Sequence, residues 1–321
     1  MSKATKVIVA LGGNALQESK GPGTAEAQLE VAKKTCEYIA DINAAGYEIA
    51  IVHGNGPQVG RIILASESAK NVTPVMPFDV CSAMSQGYIG YHVQQALQDA
   101  LRMRGRADLP VVTLITQVAV DADDPAFQNP TKPIGPFYTE AEAKELAETK
   151  GYTVKEDAGR GWRRVVASPI PKEIVELDTV KRLWDSSIVI TCGGGGIPVV
   201  ANEEGGYDGT AAVIDKDFAA SLLARSLDAD ILLILTEVEK VSLNFRKPDQ
   251  IDLDHMSVEE ARKYVTEGHF APGSMLPKVK AAIDFAVSGP GRKAIITSLY
   301  KAVDALQGRT GTVIENESSN Q

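Results

Sequence analysis

The sequence contains few cysteines and histidines, the side chains that form disulfides, hold zinc and build histidine relays. Its 321 residues include three cysteines, two tryptophans and four histidines. Cys36, Cys81 and Cys192 are widely spaced and form no Cys-x-x-Cys pair. This pattern disfavours a disulfide framework or a zinc site and is typical of a reducing compartment. A histidine relay has little support, and His53 is expected to be hydrogen-bonded in place or to line a cleft.

Several well-known motifs and surface properties are also missing. The Walker pattern G-x-x-x-x-G-K-[ST] does not occur, so this is not a P-loop enzyme, and neither G-x-S-x-G nor H-E-x-x-H is present. The net charge of −9 and the isoelectric point near 5.1 disfavour binding to nucleic acid or to a membrane surface. Without a transmembrane-length apolar run or a signal-peptide core, a cytoplasmic location is expected.

What the sequence does contain is three glycine-rich turns, each after an apolar run that is typical of a strand. The runs are Lys6–Leu11, 48–52 and 188–191, and the turns after them begin at Gly12, His53 and Cys192. Open α/β sheets bind their ligands at the carboxyl ends of parallel strands. Glycine lets the backbone approach an anion without a steric clash. Three such turns predict a cleft that holds anions, and phosphates in particular.

The hydrophobic periodicity alternates between strands and helices, which predicts a mainly parallel α/β sheet. Predicted strands cover Lys6–Leu11, Glu48–His53, 111–120, 152–156, 162–167, 188–191, Ile197–Ala201, 231–235 and 293–297. Predicted helices cover 24–44, 58–70, 79–104, Glu140–Lys150, 217–227, 258–267 and 275–288, the sixth opened by a capping box at Ser257.

The regular alternation of strand-like and helix-like segments is interrupted over residues 121–171. Three prolines within seven residues, at 130, 133 and 136, are not expected inside a sheet or a helix. This segment is interpreted as an inserted subdomain over the cleft; a long surface excursion is the alternative. The cluster of Asp121, Asp123 and Asp124 resembles a metal site, but the adjacent Pro125 favours a turn.

Residues 54–60 form G-x-G-x-x-x-G between a predicted strand and a predicted helix, close to a dinucleotide-binding fingerprint. Pro57 follows the second glycine, however, and residues 73–77 do not supply the next strand that a Rossmann unit needs. The pattern therefore disfavours a nicotinamide enzyme.

Lysines are the most informative charged residues. Lys216 and Lys278 lie at predicted helix starts, where a cation opposes the helix dipole, and Lys132 lies in the proline-rich segment. A lone lysine is usually a solvated surface residue, but a bound polyanion would reverse the cost, as phosphoryl transfer requires. Asp215 and Asp217 flank Lys216 and are expected to orient it, to hold Mg²⁺ through water, or to cap the helix.

Seven segments together resemble the amino-acid-kinase superfamily and, within it, the branch of carbamate kinases. They are ALGGNA (10–15), HGNGPQVG (53–60), NPTKPIGPF (129–137), GRGWR (159–163), CGGGGIPV (192–199), AVIDKD (212–217) and HFAPGSMLPK (269–278). The resemblance implies a three-layer α/β/α sandwich with a central, mostly parallel sheet and a small protruding subdomain. It also implies one domain with an amino-terminal lobe (1–190), a nucleotide-binding carboxyl-terminal lobe (191–321) and a homodimer formed through the amino-terminal half.

The implied activity is reversible, Mg²⁺-dependent phosphoryl transfer from carbamoyl phosphate to ADP, giving ATP and carbamate, as in arginine fermentation. By the same resemblance, Lys132, Lys216, Asp217 and Lys278 are catalytic, and no protein residue is assigned as a metal ligand. The substrate side is expected to comprise Gly12, Gly13, Asn14, Gly54, Asn55 and Gly56. The nucleotide side is expected to comprise Gly194, Gly195, Thr236, Glu237, Val238, Ala271, Pro272, Gly273, Met275, Leu276 and Pro277.

Other interpretations remain open from the sequence. A kinase of a bulkier acid, such as acetylglutamate kinase, shares the general fold, although the proline-rich segment disfavours it. A relative that makes carbamoyl phosphate biosynthetically, and a non-catalytic nucleotide or amino-acid sensor, are further alternatives. The lysines at 132, 216 and 278 disfavour the sensor.

Overall fold

A computed structural model describes residues 4–17, 21–157, 159 and 161–317, without the side chains of Asn14 and Pro136. In chain order its strands are β1 (Lys6–Leu11), β2 (Glu48–His53), β3 (Val111–Thr113), β4 (Gln117–Val120), β5 (Lys132–Tyr138), β6 (Val154–Glu156), β7 (Trp162–Val166), β8 (Pro171–Ile174), β9 (Ile188–Ile190), β10 (Ile197–Ala201), β11 (Tyr207–Gly209), β12 (Ile231–Thr236), β13 (Val241–Leu243), β14 (Ile251–Leu253), β15 (His255–Ser257), β16 (Lys293–Ser298) and β17 (Thr312–Glu315). Its α-helices are α1 (Ala25–Ala44), α2 (Gly56–Ser68), α3 (Phe78–Met103), α4 (Glu140–Lys150), α5 (Leu177–Trp184), α6 (Lys216–Ser226), α7 (Val258–Thr266), α8 (Met275–Ala286) and α9 (Ala302–Leu306).

An eight-stranded sheet in the order β15-β17-β16-β12-β1-β2-β9-β3 forms the centre of the molecule. The pairs from β16 to β3 are parallel, whereas β17 runs antiparallel to β16. Alternate residues of β1 enter opposite cores: Val7 and Val9 pack with α1 and α3, and Ile8 and Ala10 pack with α6 and α8. A strand buried on both faces needs a continuous apolar run, which β1 has. The predicted three-layer α/β/α architecture is confirmed.

Local capping explains where several helices begin. Thr24 caps α1, and complete capping boxes open α4 at Thr139 and α7 at Ser257, as the sequence predicted for Ser257. In α4 the left-handed Gly151 also ends the helix. Within the described residues, no helix combines the length and the apolar character needed to cross a membrane.

The proline-rich segment is a β-strand, so the expectation that it lies outside a sheet is wrong. β5 pairs antiparallel with β7 and forms an edge of the three-stranded sheet β5-β7-β6. A bulge interrupts the register between Ile134 and Tyr138. Proline has no backbone N–H and cannot donate a hydrogen bond to a neighbouring strand. An edge strand with a bulge tolerates proline because one side of the strand is unpaired and the bulge interrupts pairing on the other side.

This small sheet and α4, together called the subdomain here, pack on the body of the protein. Ile134 and Val166 of the subdomain form a satellite core with Val213, Ile63 and Phe78. Beside this core, α2 and β5 approach so closely that a Cβ on Gly60 would lie 2.5 Å from the Cα of Gly135. The apolar contact and the close backbone approach fix the subdomain against α2.

Glu67, near the end of α2, gives the subdomain a polar anchor. Its carboxylate accepts hydrogen bonds from the Lys150 ammonium and the Tyr152 hydroxyl, and Arg164 lies 3.7 Å away. Burial raises the pKa of Glu67, but these hydrogen bonds and charges outweigh that effect and lower it overall. The anchor is therefore an ionised carboxylate beside two cations.

The predicted strand 111–120 is in fact two strands in two sheets. β3 joins the central sheet, while β4 joins the four-stranded sheet β11-β10-β4-β8. Between them, Thr116 is buried, and its N–H donates to the side chain of Gln86 on α3. The sequence pattern does not reveal this change of sheet, because both strands contribute buried valines to one nearly continuous apolar run.

Candidate active site

A cleft of about 500 Å³ opens at the carboxyl ends of β1, β12 and β16, three neighbouring strands of the central sheet. Its lining residues are Gly12, Gly13, Ala15, Leu235, Thr236, Glu237, Gly273, Ser274, Lys278, Leu299 and Tyr300. Parallel strands bring the loops after their carboxyl ends to one edge of the sheet, and this edge is the usual ligand site of such folds. The cleft joins residues that the sequence assigned separately to the substrate and nucleotide sides.

Beside this cleft, two lysines share one buried carboxylate. Lys216 Nζ donates to Asp217 Oδ1 at 2.5 Å, and Lys278 Nζ donates to Asp217 Oδ2 at 2.9 Å. The Asp217 side chain is 2% exposed, whereas Lys216 and Lys278 retain 11% and 14% exposure. Because α6 begins at Lys216 and α8 carries Lys278, the helices deliver both ammonium groups to one place.

The charges of this group are mutually dependent. Burial raises the pKa of Asp217, but the charges and hydrogen bonds of Lys216 and Lys278 hold it well below its usual range. Burial lowers the pKa of Lys216; Asp217 opposes this shift and the charge of Lys278 adds to it. Two cations around one anion leave a formal charge of +1, which attracts a phosphate group.

A third lysine reaches the same helix start from the subdomain. Lys132 Nζ donates to Asp215 Oδ2 at 2.7 Å. Asp215 is also the N-cap of α6, because its Oδ1 accepts from the N–H of Asp217. The two aspartates thus have different contacts: Asp215 caps the helix and pairs with Lys132, whereas Asp217 pairs with Lys216 and Lys278.

The glycine turn after β2 lies next to Lys216. A Cβ on Gly54 would lie 3.5 Å from Lys216 Cδ, and the Gly54 N–H donates to the Leu11 carbonyl. Asn55 is buried and donates to Ser85, and Gly56 begins α2. These residues therefore lie near the lysines, on the β1 and β2 side of the site. Asn14 lies in a 3-10 turn after β1, and its side chain is outside the described part of the structure.

The third glycine turn differs from the other two because it is buried. A Cβ on Gly194 would lie 2.2 Å from the Asn55 amide, and one on Gly195 would lie 2.2 Å from the Ile214 carbonyl oxygen. Both glycines have positive φ. The expectation that this turn exposes its backbone to the cleft is wrong, because the turn packs behind Asn55 and the start of α6. Nucleotide contact by Gly194 and Gly195 stays a prediction that this packing does not support.

The predicted nucleotide side is divided between the cleft and its surroundings. Thr236, Glu237 and Gly273 line the cleft, whereas Met275 and Leu276 pack partly against the core. The neighbouring positions Val238, Ala271, Pro272 and Pro277 do not appear in the lining of this cleft as the structure describes it. Sequence reasoning missed Leu299 and Tyr300, which follow β16. The available signal was their position just after a predicted parallel strand.

The comparisons with known proteins identify the family. The amino acid kinase family model matches residues 5–298. The chain belongs to this family. It is 55% identical over 313 residues to a carbamate kinase of Clostridium perfringens, an alignment that covers 96% of this chain and 99% of that protein. The resemblance drawn from the seven motif segments is confirmed.

Two further comparisons show similarity to a carbamate kinase-like protein and to a solved carbamate kinase structure. A carbamate kinase-like protein of Escherichia coli is 54% identical over 319 residues, covering 98% of this chain and 99% of that protein. The solved structure of Giardia lamblia carbamate kinase bound to AMP-PNP has a TM-score of 0.90 and 46% identity, covering 99% of this chain and 100% of that one.

In this amino acid kinase, the histidine and the cysteine that adjoin the second and third glycine turns are buried. His53 is buried, one ring nitrogen lies 2.9 Å from the Gly54 carbonyl oxygen, and burial lowers its pKa to about 4. Cys192 is buried as well, and burial raises its pKa to about 12. A neutral imidazole and a protonated thiol fit packing roles rather than nucleophilic ones.

The acidic cluster near residue 121 is a turn, as the sequence favoured. Asp124 Oδ1 accepts from the N–H of Ala126, and Asp121 Oδ1 accepts from the N–H of Asp123. Among the described residues, no group of three or more His, Cys, Asp or Glu side chains is arranged to hold a metal ion.

Proposed function

We propose that this protein is a carbamate kinase, which reversibly transfers a phosphoryl group between carbamoyl phosphate and ADP to give carbamate and ATP. The observation that carries the proposal is the pairing of Lys216 and Lys278 with one buried carboxylate beside the cleft. Full-length similarity to carbamate kinases supports the same substrates. Phosphoryl transfer depends on positioning and charge stabilisation more than on covalent chemistry, and this site offers both.

The acceptor chemistry agrees with the small number of histidines. Carbamate is already an anion, so its oxygen attacks the γ-phosphoryl group of ATP without a general base; in reverse, a terminal oxygen of ADP attacks the phosphoryl group of carbamoyl phosphate. What the protein must supply is relief of repulsion between two anions. Two unit charges about 4 Å apart interact by about 4 kcal/mol at an effective dielectric of 20, so each lysine contributes substantially.

We assign the residues as follows. Lys216 and Lys278 stabilise the transferred phosphoryl group and the ADP phosphates, Asp217 orients both lysines, and Lys132 binds carbamoyl phosphate from the subdomain. The backbone around Gly12, Gly13, Asn14, Gly54, Asn55 and Gly56 holds the substrate. The part of the cleft lined by Thr236, Glu237 and Gly273 receives the nucleotide, and its volume of about 500 Å³ is within the usual range for such ligands.

We propose that Mg²⁺ binds to this protein together with the nucleotide. Both oxygens of Asp217 already accept from lysines, and Asp215 is committed to Lys132 and to the helix cap. With these two carboxylates engaged, the ion would be held mainly by nucleotide phosphate oxygens and by water, several molecules of which Mg²⁺ usually retains. The ion supplies neutralisation of the phosphate charge when bound.

We further propose a homodimer formed through the amino-terminal half. The outer face of α3 presents Val80, Met84 and Tyr91 on one side of the helix, with exposures of 37%, 49% and 61%. Exposed apolar surface of this kind favours association, and a second copy offers the same stripe across a two-fold axis. Light scattering of the purified protein tests this, and a monomeric mass would contradict it.

The lobe division, location and direction are also proposals. The lobes are residues 1–190 and 191–321, with the nucleotide on the second. Cytoplasmic location fits three buried cysteines that are unpaired. We propose that the physiological direction is ATP formation at the end of arginine fermentation, since carbamoyl phosphate is a reactive mixed anhydride and carbamate decomposes to ammonia and carbon dioxide.

A panel of phosphoryl donors tests the substrate assignment. Purified protein is incubated with ADP, Mg²⁺ and either carbamoyl phosphate or acetyl phosphate, and ATP is followed with a coupled reaction. Reverse assays offer ATP with carbamate or with N-acetylglutamate as acceptor. We expect turnover with the carbamoyl pair to exceed the others at least tenfold; comparable turnover of N-acetylglutamate would favour a kinase of bulkier acids.

A further inference from the structure

Asp215 links two parts of the protein that the proposed chemistry requires. Its Oδ2 accepts a hydrogen bond from Lys132, the first residue of subdomain strand β5. Its Oδ1 accepts from the N–H of Asp217 in the first turn of α6. One carboxylate thus joins the subdomain to the helix that begins with Lys216.

The two contacts of Asp215 differ in how easily they can be exchanged. The cap is local and needs only a side-chain oxygen, which Asn or Ser also provides. The ion pair with Lys132 spans 83 residues of sequence, and the Lys132 side chain is 35% exposed. A phosphate that enters from solvent can therefore reach this lysine, and it carries more negative charge than the carboxylate it meets.

The surrounding charges make such an exchange favourable. Within the part of the chain that the structure describes, Lys132, Lys216 and Lys278 pair with two carboxylates, those of Asp215 and Asp217, so this group has a formal charge of +1. Asp217 is buried between two lysines, whereas Asp215 has one ammonium partner that is open to solvent. The pair formed by Lys132 and Asp215 is therefore the one that an incoming anion can separate.

We propose that Asp215 is a positioning residue, the exchangeable counter-ion that holds Lys132 beside Lys216 and Lys278 until a phosphoryl group takes its place. The inference rests on the proposed function, in which that group belongs to carbamoyl phosphate. Asp215 acts through Lys132 and does not touch the substrate. In the unliganded protein it keeps the subdomain lysine close to the site and offsets its repulsion from the other two.

A double-mutant cycle with inorganic phosphate as the probe tests this inference. Binding is measured by calorimetry for the wild type, Asp215→Asn, Lys132→Met and the double variant. Asp215→Asn should bind phosphate about 3- to 10-fold more tightly, because Lys132 no longer has a competing carboxylate. In the Lys132→Met background the same substitution should change phosphate affinity less than twofold, since the lysine through which Asp215 acts is gone.

Two results would overturn the inference. One is phosphate binding by Asp215→Asn that is no tighter than that of the wild type, including no binding by either. The other is a gain in phosphate affinity on Asp215→Asn that persists in the Lys132→Met background. Asp215 would then repel phosphate directly through its charge and not through Lys132. Asp123→Asn, in the exposed turn before β5, removes the same charge at another position and should leave phosphate affinity unchanged.

Folding and function are separated by the design. Both Asp215→Asn and Asp215→Ser retain a capping side chain, so both should melt close to the wild type and give the same gain in phosphate affinity. The cycle needs no turnover, whereas ATP formation by the wild type tests the proposed function. If the wild type forms no ATP but the phosphate affinities of the four proteins follow the expected pattern, the carbamate kinase assignment alone is rejected. If the wild type forms ATP but the phosphate affinities do not follow that pattern, the counter-ion role of Asp215 alone is rejected.

Discussion

Lys278 donates to Asp217 Oδ2 at 2.9 Å, although the two residues lie 61 positions apart on different helices. Because the other oxygen of the same carboxylate accepts from Lys216, two ammonium groups are held within reach of one phosphate. A helix start alone would repel each lysine, and the shared anion removes that cost. This pairing is the physical basis of the proposed phosphoryl transfer.

Removing one lysine should affect turnover far more than stability. In Lys216→Ala, Asp217 keeps Lys278, so one anion still faces one cation and the free energy of unfolding should fall by only about 1 kcal/mol. Turnover should fall by about 10²–10³, because a charge aimed at the transferred group is lost. Urea unfolding and the ATP assay on the same preparation measure both quantities.

Removing the shared carboxylate should reduce stability as well as turnover. Asp217→Asn leaves Lys216 and Lys278 buried without their anion, and we expect a loss of about 3–5 kcal/mol of unfolding free energy together with loss of turnover. Its comparison with Lys216→Ala is the control. Equal destabilisation by the two variants, with near-normal turnover in Lys216→Ala, would contradict the roles assigned here.

The glycine turns should respond differently to a methyl group. A Cβ on Gly13 meets nothing within 4 Å, so Gly13→Ala should fold normally while the methyl group enters the cleft and weakens nucleotide and phosphate binding. Gly194→Ala should instead destabilise the protein by about 2–4 kcal/mol, because φ is +69° and the Asn55 amide is 2.2 Å from the new Cβ. Melting curves and ADP titrations distinguish the two, and unchanged ligand affinity in Gly13→Ala would refute its position in the site.

The Glu67 anchor predicts local rather than global loosening. Glu67→Gln removes a carboxylate that accepts from Lys150 and Tyr152 and lies beside Arg164. Amide hydrogens of β5 and β7 should exchange faster, corresponding to about 1–3 kcal/mol of lost local stability, while those of β1 and β12 stay unchanged. Glu140→Gln, which breaks an exposed pair on α4, is the matched control and should leave exchange in β5 and β7 unaltered.

Buried His53 should make the protein less stable in mild acid. Its pKa in the folded protein is about 4, against 6.5 in a model peptide, because burial disfavours the charged ring. As the pH falls from 6.5 towards 4, the unfolded chain takes up a proton that the folded protein does not, so stability is present above this window and lost within it. The loss should reach about 3 kcal/mol, at up to about 1.4 kcal/mol per pH unit.

Unfolding in urea at a series of pH values between 7.5 and 4 measures this effect. His53→Gln should reduce the slope across the window, leaving the smaller part that comes from His92, whose pKa burial also lowers, whereas the exposed His255→Gln should keep the wild-type slope. A profile that is equally steep in both variants would show that His53 is not the group responsible.

The sequence was sufficient to predict the layers and to single out the two lysines, because both follow from local rules. β1 and β2 have the predicted bounds, since a buried parallel strand is a continuous apolar run between clear turns. Lys216 and Lys278 stood out because each is at a helix start, where a cation is unfavourable unless an anion is bound nearby. Resemblance to a known family then linked these separate segments to one site.

The features that sequence reasoning missed depend on tertiary position. Pro133 is tolerated in β5 because that strand lies at the edge of its sheet. Whether a strand lies at an edge depends on which other strands pair with it, and the local sequence does not show this. The burial of Gly194 depends on Asn55, which is distant in sequence. Tyr300 has no motif of its own and enters the cleft because β16 adjoins β12.

The most direct measurement is ATP formation from carbamoyl phosphate and ADP by the wild type and by Lys216→Ala, assayed side by side with Mg²⁺. The account predicts that each carbamoyl phosphate consumed by the wild type yields one ATP, and that the variant, folded and of similar stability, is slower by about two to three orders of magnitude. A wild-type rate no higher than that of the folded variant would contradict it.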